Sequence, residues 1–203
     1  PVDRLTRLSV VSSFDVTPVV VQAYGAEFEL DTLRATGGVS LALQDRTAFG
    51  VDLTVNDLNL DIYFPGARAG EQGTAADNGA AGLTDLKRSL AVLDEFDANV
   101  RLKVGKIVLN GIPAKNVSLD GVLYGGELTV KKASVGDVQG AALSLRGDAK
   151  GFSRNPSVDV DLDFDLHRPS TLGALAGQPL PYPLSNLGAG KGSLKVTGSE
   201  DRV

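Results

Sequence analysis

Residues 158–166 read Val158-Asp159-Val160-Asp161-Leu162-Asp163-Phe164-Asp165-Leu166, with aspartate at every odd position and an apolar side chain at every even one. Successive side chains of a strand point to opposite faces, so this stretch predicts a strand with one greasy face and one acidic face. Val51-Asp52-Leu53-Thr54-Val55 shows the same alternation, then resumes out of phase at Leu58, Leu60 and Ile62, which predicts a β-bulge near Asn56 and Asp57. A similar phase change separates Val100, Leu102 and Val104 from Ile107 and Leu109, with Gly105 between them. Further strands are expected at 5–12, 18–24, 26–34, 38–45, 115–124, 126–135, 141–148 and 192–198, punctuated by Gly, Asn and Asp at hairpin-like spacing.

Two stretches break the alternation. Residues 65–82 hold 5 Gly and 6 Ala and no larger apolar side chain, a composition that cannot bury enough surface to offset its ordering entropy and that predicts a flexible loop. Beyond it Leu83, Leu86, Leu90 and Leu93 fall at helical spacing behind Thr84 or Asp85 as N-cap, which predicts a short helix packed on the sheet. A second helical turn is expected after Pro169, with Ser170 as its cap. An extended loop is expected over 177–190, where Pro179, Pro181 and Pro183 stand.

Composition removes several classes of function. Lys+Arg 20 against Asp+Glu 25 leaves a net charge of −5 over 203 residues, which argues against a nucleic-acid partner. With no cysteine there is no disulfide, thiolate metal site or thiol nucleophile, and a single histidine, His167, removes two-histidine metal motifs and disfavours a histidine-centred triad. No Trp and only 4 Tyr weaken the case for a stacking platform. No window approaches 18 uninterrupted apolar residues, so no membrane-spanning helix is expected. A start at Pro1 and the absence of methionine predict a processed or excised piece of a longer protein.

Motifs that tempt a chemical assignment have simpler accounts. Same-face aspartates on a strand stand about 6.5–7 Å apart, too far for the Asp159/161/163/165 ladder alone to converge on a calcium ion, so a solvated face is expected, whose repulsion opposes aggregation. Gly188 to Ser193 resembles a phosphate loop, but Ser185 replaces its first glycine, Gly192 replaces its hydroxyl residue and a strand follows, so a flexible turn is expected. His167 is expected as a polar residue at a strand end, and Asn116-Val117-Ser118 as a sequon without consequence.

The chain also contains an internal repeat. Tyr24-Gly25-Ala26-Glu27-Phe28-Glu29-Leu30 returns as Tyr124-Gly125-Gly126-Glu127-Leu128-Thr129-Val130, followed in both copies by a second strand (38–43 and 141–145) and by the acidic-apolar strands starting at Val51 and Val158. The copies end just before Pro65 and Pro169, and the offsets run from 100 to 107. The expected organisation is a first β unit over 1–64, the loop 65–82, and a helix with a second β unit and the opening of a third over 83–203.

The stretch Leu83 to Ala176 resembles the AsmA family of bacterial envelope proteins. The matching elements are a short helix running into "LDEFDANVRLKVGKIVLNGIPAKNVSLDGVLYGGELTVKKASVGDVQGAALSLRGDAKG", followed by "PSVDVDLDFDLHRPSTLGALAG". The resemblance implies a periplasmic segment of a Gram-negative, inner-membrane-anchored parent that supports outer-membrane assembly and phospholipid transport along an apolar β-groove. It brings no catalytic residues to carry over.

The expected fold is all-β: antiparallel strands in a curved half-pipe, an open groove built from repeated strand groups with one or two short helices. The expected function is non-enzymatic, with no cofactor, metal or catalytic residue, and with phospholipid acyl chains as the partner. The groove-lining candidates are Val158, Val160, Leu162, Phe164 and Leu166; Val51, Leu53 and Val55; Val117, Leu119 and Leu123; Leu128 and Val130; and Leu143 and Leu145. The competing expectation is a closed-core β scaffold or binding module, stalk- or adhesin-like, in which the same residues fill an ordinary core.

Overall fold

A computed structural model describes residues 7–63, 92–152, 155–168 and 188–199. Ten strands lie in one open sheet in the order of the sequence: β1 Leu8–Val16, β2 Val20–Leu30, β3 Leu33–Ala42, β4 Ala48–Asn59, β5 Asp97–Leu109, β6 Ile112–Tyr124, β7 Glu127–Val138, β8 Ala141–Lys150, β9 Ser157–Leu166 and β10 Gly190–Ser199. The all-β expectation holds. A single helical turn, α1 (Leu60–Tyr63), follows β4, and a 3₁₀ turn over Val92–Asp94 precedes β5. The expected loop 65–82, most of the helix 83–93, the turn after Pro169 and most of the loop 177–190 lie outside the described residues; Leu93 falls in the 3₁₀ turn.

Turn chemistry explains why consecutive strands become neighbours. Asn110-Gly111, Gly125-Gly126 and Gln139-Gly140 join β5 to β6, β6 to β7 and β7 to β8, and all six residues have φ between 50° and 80°. Two successive positive φ values make the two-residue turn whose twist matches that of the flanking strands. The fully antiparallel expectation fails at one place, because β4 and β5 run parallel. Residues 60–96 separate them, more than the dozen or so residues a chain needs to return to the same end of a sheet.

In the N-terminal part the expected division at Gly25 is corrected. The expected strand 18–24 and the first part of 26–34 are one strand, β2, in which register shifts between Ala23 and Ala26 against β3 and Gly25 takes φ 58°; it ends at Leu30, and Leu33 and Arg34 already open β3. Glycine there supplies a bulge within a strand, whereas Tyr124-Gly125 stands at the β6–β7 turn. The segments beginning at Tyr24 and Tyr124 therefore stand differently in the sheet, one inside β2 and the other at the β6–β7 turn. Gly190 to Ser193, expected as a turn, belong to β10 and pair with Leu166 to Asp163.

The phase change near Asn56 is present, but without a slip in register. Val55 is buried, Asn56 and Asp57 are both exposed and Leu58 is half-buried, yet Val55 faces Val104 and Asp57 faces Lys106 at one constant offset. β5 changes phase on the same row, with Gly105 and Lys106 both exposed after buried Val104. The row continues through Asn116 (φ 52°) to Gly136. A Cβ at Gly105 would sit 2.6 Å from the Asn56 carbonyl oxygen, and one at Gly136 2.9 Å from the Asn116 Cβ, so backbones approach closely along this row.

Two carboxylates tie strand ends together. Asp61 of α1 accepts hydrogen bonds from the Asn110 and Gly111 amides at 2.6 and 2.7 Å, capping the β5–β6 turn. Asp97 accepts the Gly125 amide at 2.9 Å and pairs with the Arg46 guanidinium, which also donates to the Phe96 carbonyl. The Gly125 amide, and then Arg46, hold the Asp97 carboxyl below its ordinary value, against the opposing effect of partial burial. A depressed carboxyl contributes stability above the unfolded value of about 3.9 and loses it as pH falls through the folded value. Asp97→Asn should therefore lower stability at pH 6 and flatten its decline below about pH 4, measured by urea unfolding at a series of pH values. Parallel acid profiles for the two proteins would show that Asp97 contributes nothing specific.

Candidate functional site

Register turns the alternation of separate strands into continuous rows. Val10, Phe28, Ala35, Val55, Val104, Val117, Val135, Leu143, Phe164 and Gly192 face one another in succession across all ten strands. Two residues along each strand, a second row runs from Ala26 and Gly37 through Leu53, Leu102, Leu119, Ala133, Leu145 and Leu162 to Leu194. A third joins Phe14, Ala23, Val39, Val51, Val100, Gly121, Val130, Gly147, Val160 and Val196. The fourth joins Val16, Val21, Leu41, Phe49, Ala98, Leu123, Leu128, Ala149, Val158 and Gly198. None of the four contains a charged or hydroxyl side chain.

Fourteen of the sequence candidates fall in these rows: Val55, Val117, Leu143 and Phe164 in the first; Leu53, Leu119, Leu145 and Leu162 in the second; Val51, Val130 and Val160 in the third; Leu123, Leu128 and Val158 in the fourth. Leu166 pairs with Ala141 and Gly190 just beyond the first row, on the same side of β9. The candidate set left out Val100, Leu102, Val104, Phe49, Leu194 and Val196, as well as Val135 and every row residue of β1 to β3. Their alternation was visible in the sequence; their place beside the candidates depended on strand pairing.

Exposure along the rows depends on the strand. Val10 and Phe14 on β1 are 58% and 67% exposed and Leu194 on β10 is 53%, whereas Val104 on β5 is 2% and Leu123 on β6 is 4%. Burial is thus deepest at Val104 and Leu123 and exposure greatest on β1 and β10, with Val39 and Phe49 in between at 45% and 42%.

The opposite face is polar and cross-linked by charge. Arg101 reaches Asp52 at 3.0 Å and Asp120 at 3.7 Å, and Lys131 approaches Asp120 at 3.9 Å. The aspartate ladder of β9 keeps side chains in contact with solvent, as expected, but the expected self-repulsion is corrected by cations on both neighbouring strands. Lys191 meets Asp165 at 2.7 Å, Lys195 meets Asp159 at 2.8 Å, and Arg146 lies 3.4 Å from Asp161. Asp165 holds the Lys191 ammonium above its ordinary value, and Asp159, followed by Asp161, does the same for Lys195. The ladder is an acidic strand flanked by Arg146 on β8 and by Lys191 and Lys195 on β10, although Asp148 of β8 faces Asp159. His167, at the end of β9, has Nδ1 3.3 Å from Asp165, and its amide donates to the Gly140 carbonyl.

A recess of about 1050 Å³, the largest of those described, lies over this polar face. Its walls take Thr54, Lys103, Ser118, Ser134, Ser144 and Asp163 from one polar row, and Lys132 from the next. Between these polar positions the lining also takes Val55, Val104, Val117, Val135, Leu143, Phe164 and Gly192 of the first apolar row, while no residue of the second row contributes. Among the described residues no group of three or more His, Asp or Glu side chains is placed to hold a metal ion, and no helix is long and apolar enough to cross a membrane. No family model, curated protein or solved structure matches the chain.

The exposure gradient makes one substitution costly and another cheap. Val104→Asp places a carboxylate at the covered centre and should cost more than about 3 kcal/mol or unfold the chain. Leu194→Asp, on the same face at the β10 edge, should cost under about 1 kcal/mol. Urea unfolding of both measures the difference; similar costs would mean that the centre is not covered in solution.

Proposed function

We propose that the apolar face shields lipid acyl chains, in a non-enzymatic periplasmic segment of an AsmA-like envelope protein whose parent is anchored in the inner membrane. In this proposal the repeated strand groups form one curved half-pipe, and the parent supports phospholipid transport and outer-membrane assembly. The observation that carries it is the set of four apolar rows running uninterrupted over an open sheet. At about 4.8 Å per strand and 3.3 Å per residue they cover roughly 43 Å across the strands and 20 Å along them. An extended 16-carbon chain fits within either dimension. Laid on one face it loses contact with water on one side, so about half of ~0.8 kcal/mol per CH₂ applies, on the order of 6 kcal/mol in all. Passage from bilayer to face exchanges one apolar medium for another, and a nearly neutral exchange suits a carrier surface. The exposed rims at β1 and β10 support entry of a chain, and the resemblance over Leu83 to Ala176 supports the envelope setting.

A competing reading rests on the burial of Val104 and Leu123, which suits a scaffold whose apolar face is an ordinary covered core. Site-specific photo-crosslinking separates the two. A benzophenone side chain at Leu162 or Phe164 should capture phospholipid from vesicles, while one at Asp161, outside the recess, should not. Leu162→Glu should reduce capture at Phe164 severalfold and leave the circular dichroism spectrum unchanged. Equal labelling of both faces, or an unfolded Leu162→Glu variant with no lipid captured anywhere, would leave the scaffold standing in place of the carrier.

A further inference from the structure

The recess carries hydroxyl and ammonium groups that the acyl-chain proposal does not use, although residues of the first apolar row share its lining. Its centre is the Ser118–Ser134 pair, two facing residues of β6 and β7 whose hydroxyl oxygens are 2.7 Å apart and partly buried. One hydroxyl donates to the other, which leaves the second hydrogen available to an acceptor in the recess. Lys103 faces Ser118 from β5, and Lys132 stands two residues before Ser134 on β7. Two strand spacings across and two residues along put the two lysine Cα atoms about 12 Å apart, on either side of the hydroxyl pair. Flexible four-carbon stems let both ammonium groups reach a single group held between them.

Charge separates this end of the recess from the rest of the molecule. Of the charged residues in its walls, Lys191 is bound by Asp165 at 2.7 Å and Asp163 lies 4.0 Å from Arg146. Asp120, two residues from Ser118 on the same side of β6, stands directly opposite Lys132 but is engaged by Arg101 and Lys131. Lys103 and Lys132 have no ion-pair partner among the described residues. The walls hold three lysines and two aspartates, a net +1, on a chain of net −5. Two unneutralised ammonium groups, a free hydroxyl hydrogen and room for several heavy atoms select a compact oxyanion.

We propose that the recess binds a phosphate group, with Lys103 and Lys132 as the charged ligands and the Ser118–Ser134 pair as the hydroxyl donor. A free phosphoester and the headgroup of an anionic phospholipid present the same chemistry. The proposal is independent of acyl-chain shielding, because none of these side chains lies in the apolar rows.

The intact chain tests it in two arms. In the first, the ¹⁵N-labelled protein is titrated with inorganic phosphate and with glycerol 3-phosphate, and amide shifts are followed at Gly105, Ser118 and Ser134. In the second, co-sedimentation is compared for phosphatidylcholine vesicles with and without phosphatidylglycerol. Each of Lys103→Gln and Lys132→Gln should weaken binding about tenfold, the loss of one charge-assisted hydrogen bond, and the double variant should abolish it. Lys150→Gln, outside the recess, should leave it unchanged. Both lysines are exposed, so the variants should keep the wild-type circular dichroism spectrum. Loss in the first arm identifies a free phosphoester, and loss in the second alone identifies a headgroup. Absence of binding in both arms, retention by the double variant, or equal loss in Lys150→Gln overturns the site.

Discussion

Because side chains alternate along a strand, a slip of one residue in any of the nine strand pairs would carry leucines to the aspartate face. Every property of this sheet depends on that register. The Asn110-Gly111, Gly125-Gly126 and Gln139-Gly140 turns set it locally between β5 and β8, where two successive positive φ values leave little freedom in how the strands align. Opposite charges reinforce it on the polar side: Arg101 sits beside both Asp52 and Asp120, and Lys195 beside both Asp159 and Asp161. Surface pairs of this kind contribute little stability each, but like charges brought opposite one another by a slip would oppose the wrong alignment.

The row through Asn56, Gly105, Asn116 and Gly136 shows how register and phase can be uncoupled. An isolated bulge in β4 would have put Leu58 out of step with β5. Instead the neighbours change phase on the same row, so Leu58 faces Ile107 while Val55 faces Val104. Small residues are needed there because a Cβ at Gly105 or Gly136 would press on the adjacent strand. The same small side chains, with the serines of the next row, leave the space above the polar face that becomes the recess.

Much of this was legible from single strands. The alternation at 158–166 located β9 and gave its faces, and the breaks after Val55 and Val104 marked the phase change. What failed required knowledge of neighbours. Gly25 in isolation reads as a turn, and only pairing of β2 with both β1 and β3 makes it a bulge. The parallel β4–β5 pair could not be read because its long connection gives no local signal of direction. The four aspartates of β9 looked self-repelling because nothing in their own stretch shows that Lys191, Lys195 and Arg146 flank them. For the same reason the candidate face omitted β5, whose Leu102 and Val104 complete it. The serines and lysines of the recess lie on five strands and form no pattern in any one of them.

The two faces also differ in how finely they can choose a ligand. An apolar surface with no polar group in its four rows recognises area alone, and one CH₂ more or less changes binding by at most ~0.8 kcal/mol, under tenfold. Such a surface can distinguish long chains from short ones but not one lipid class from another. Hydroxyl and ammonium groups behave differently, because a ligand that fails to pair with them leaves desolvated donors behind, and each such failure costs about 1–3 kcal/mol. Discrimination between headgroups therefore cannot originate on the greasy side of this sheet. It must arise where polar groups stand at fixed spacing, and strand register provides that spacing on the opposite face.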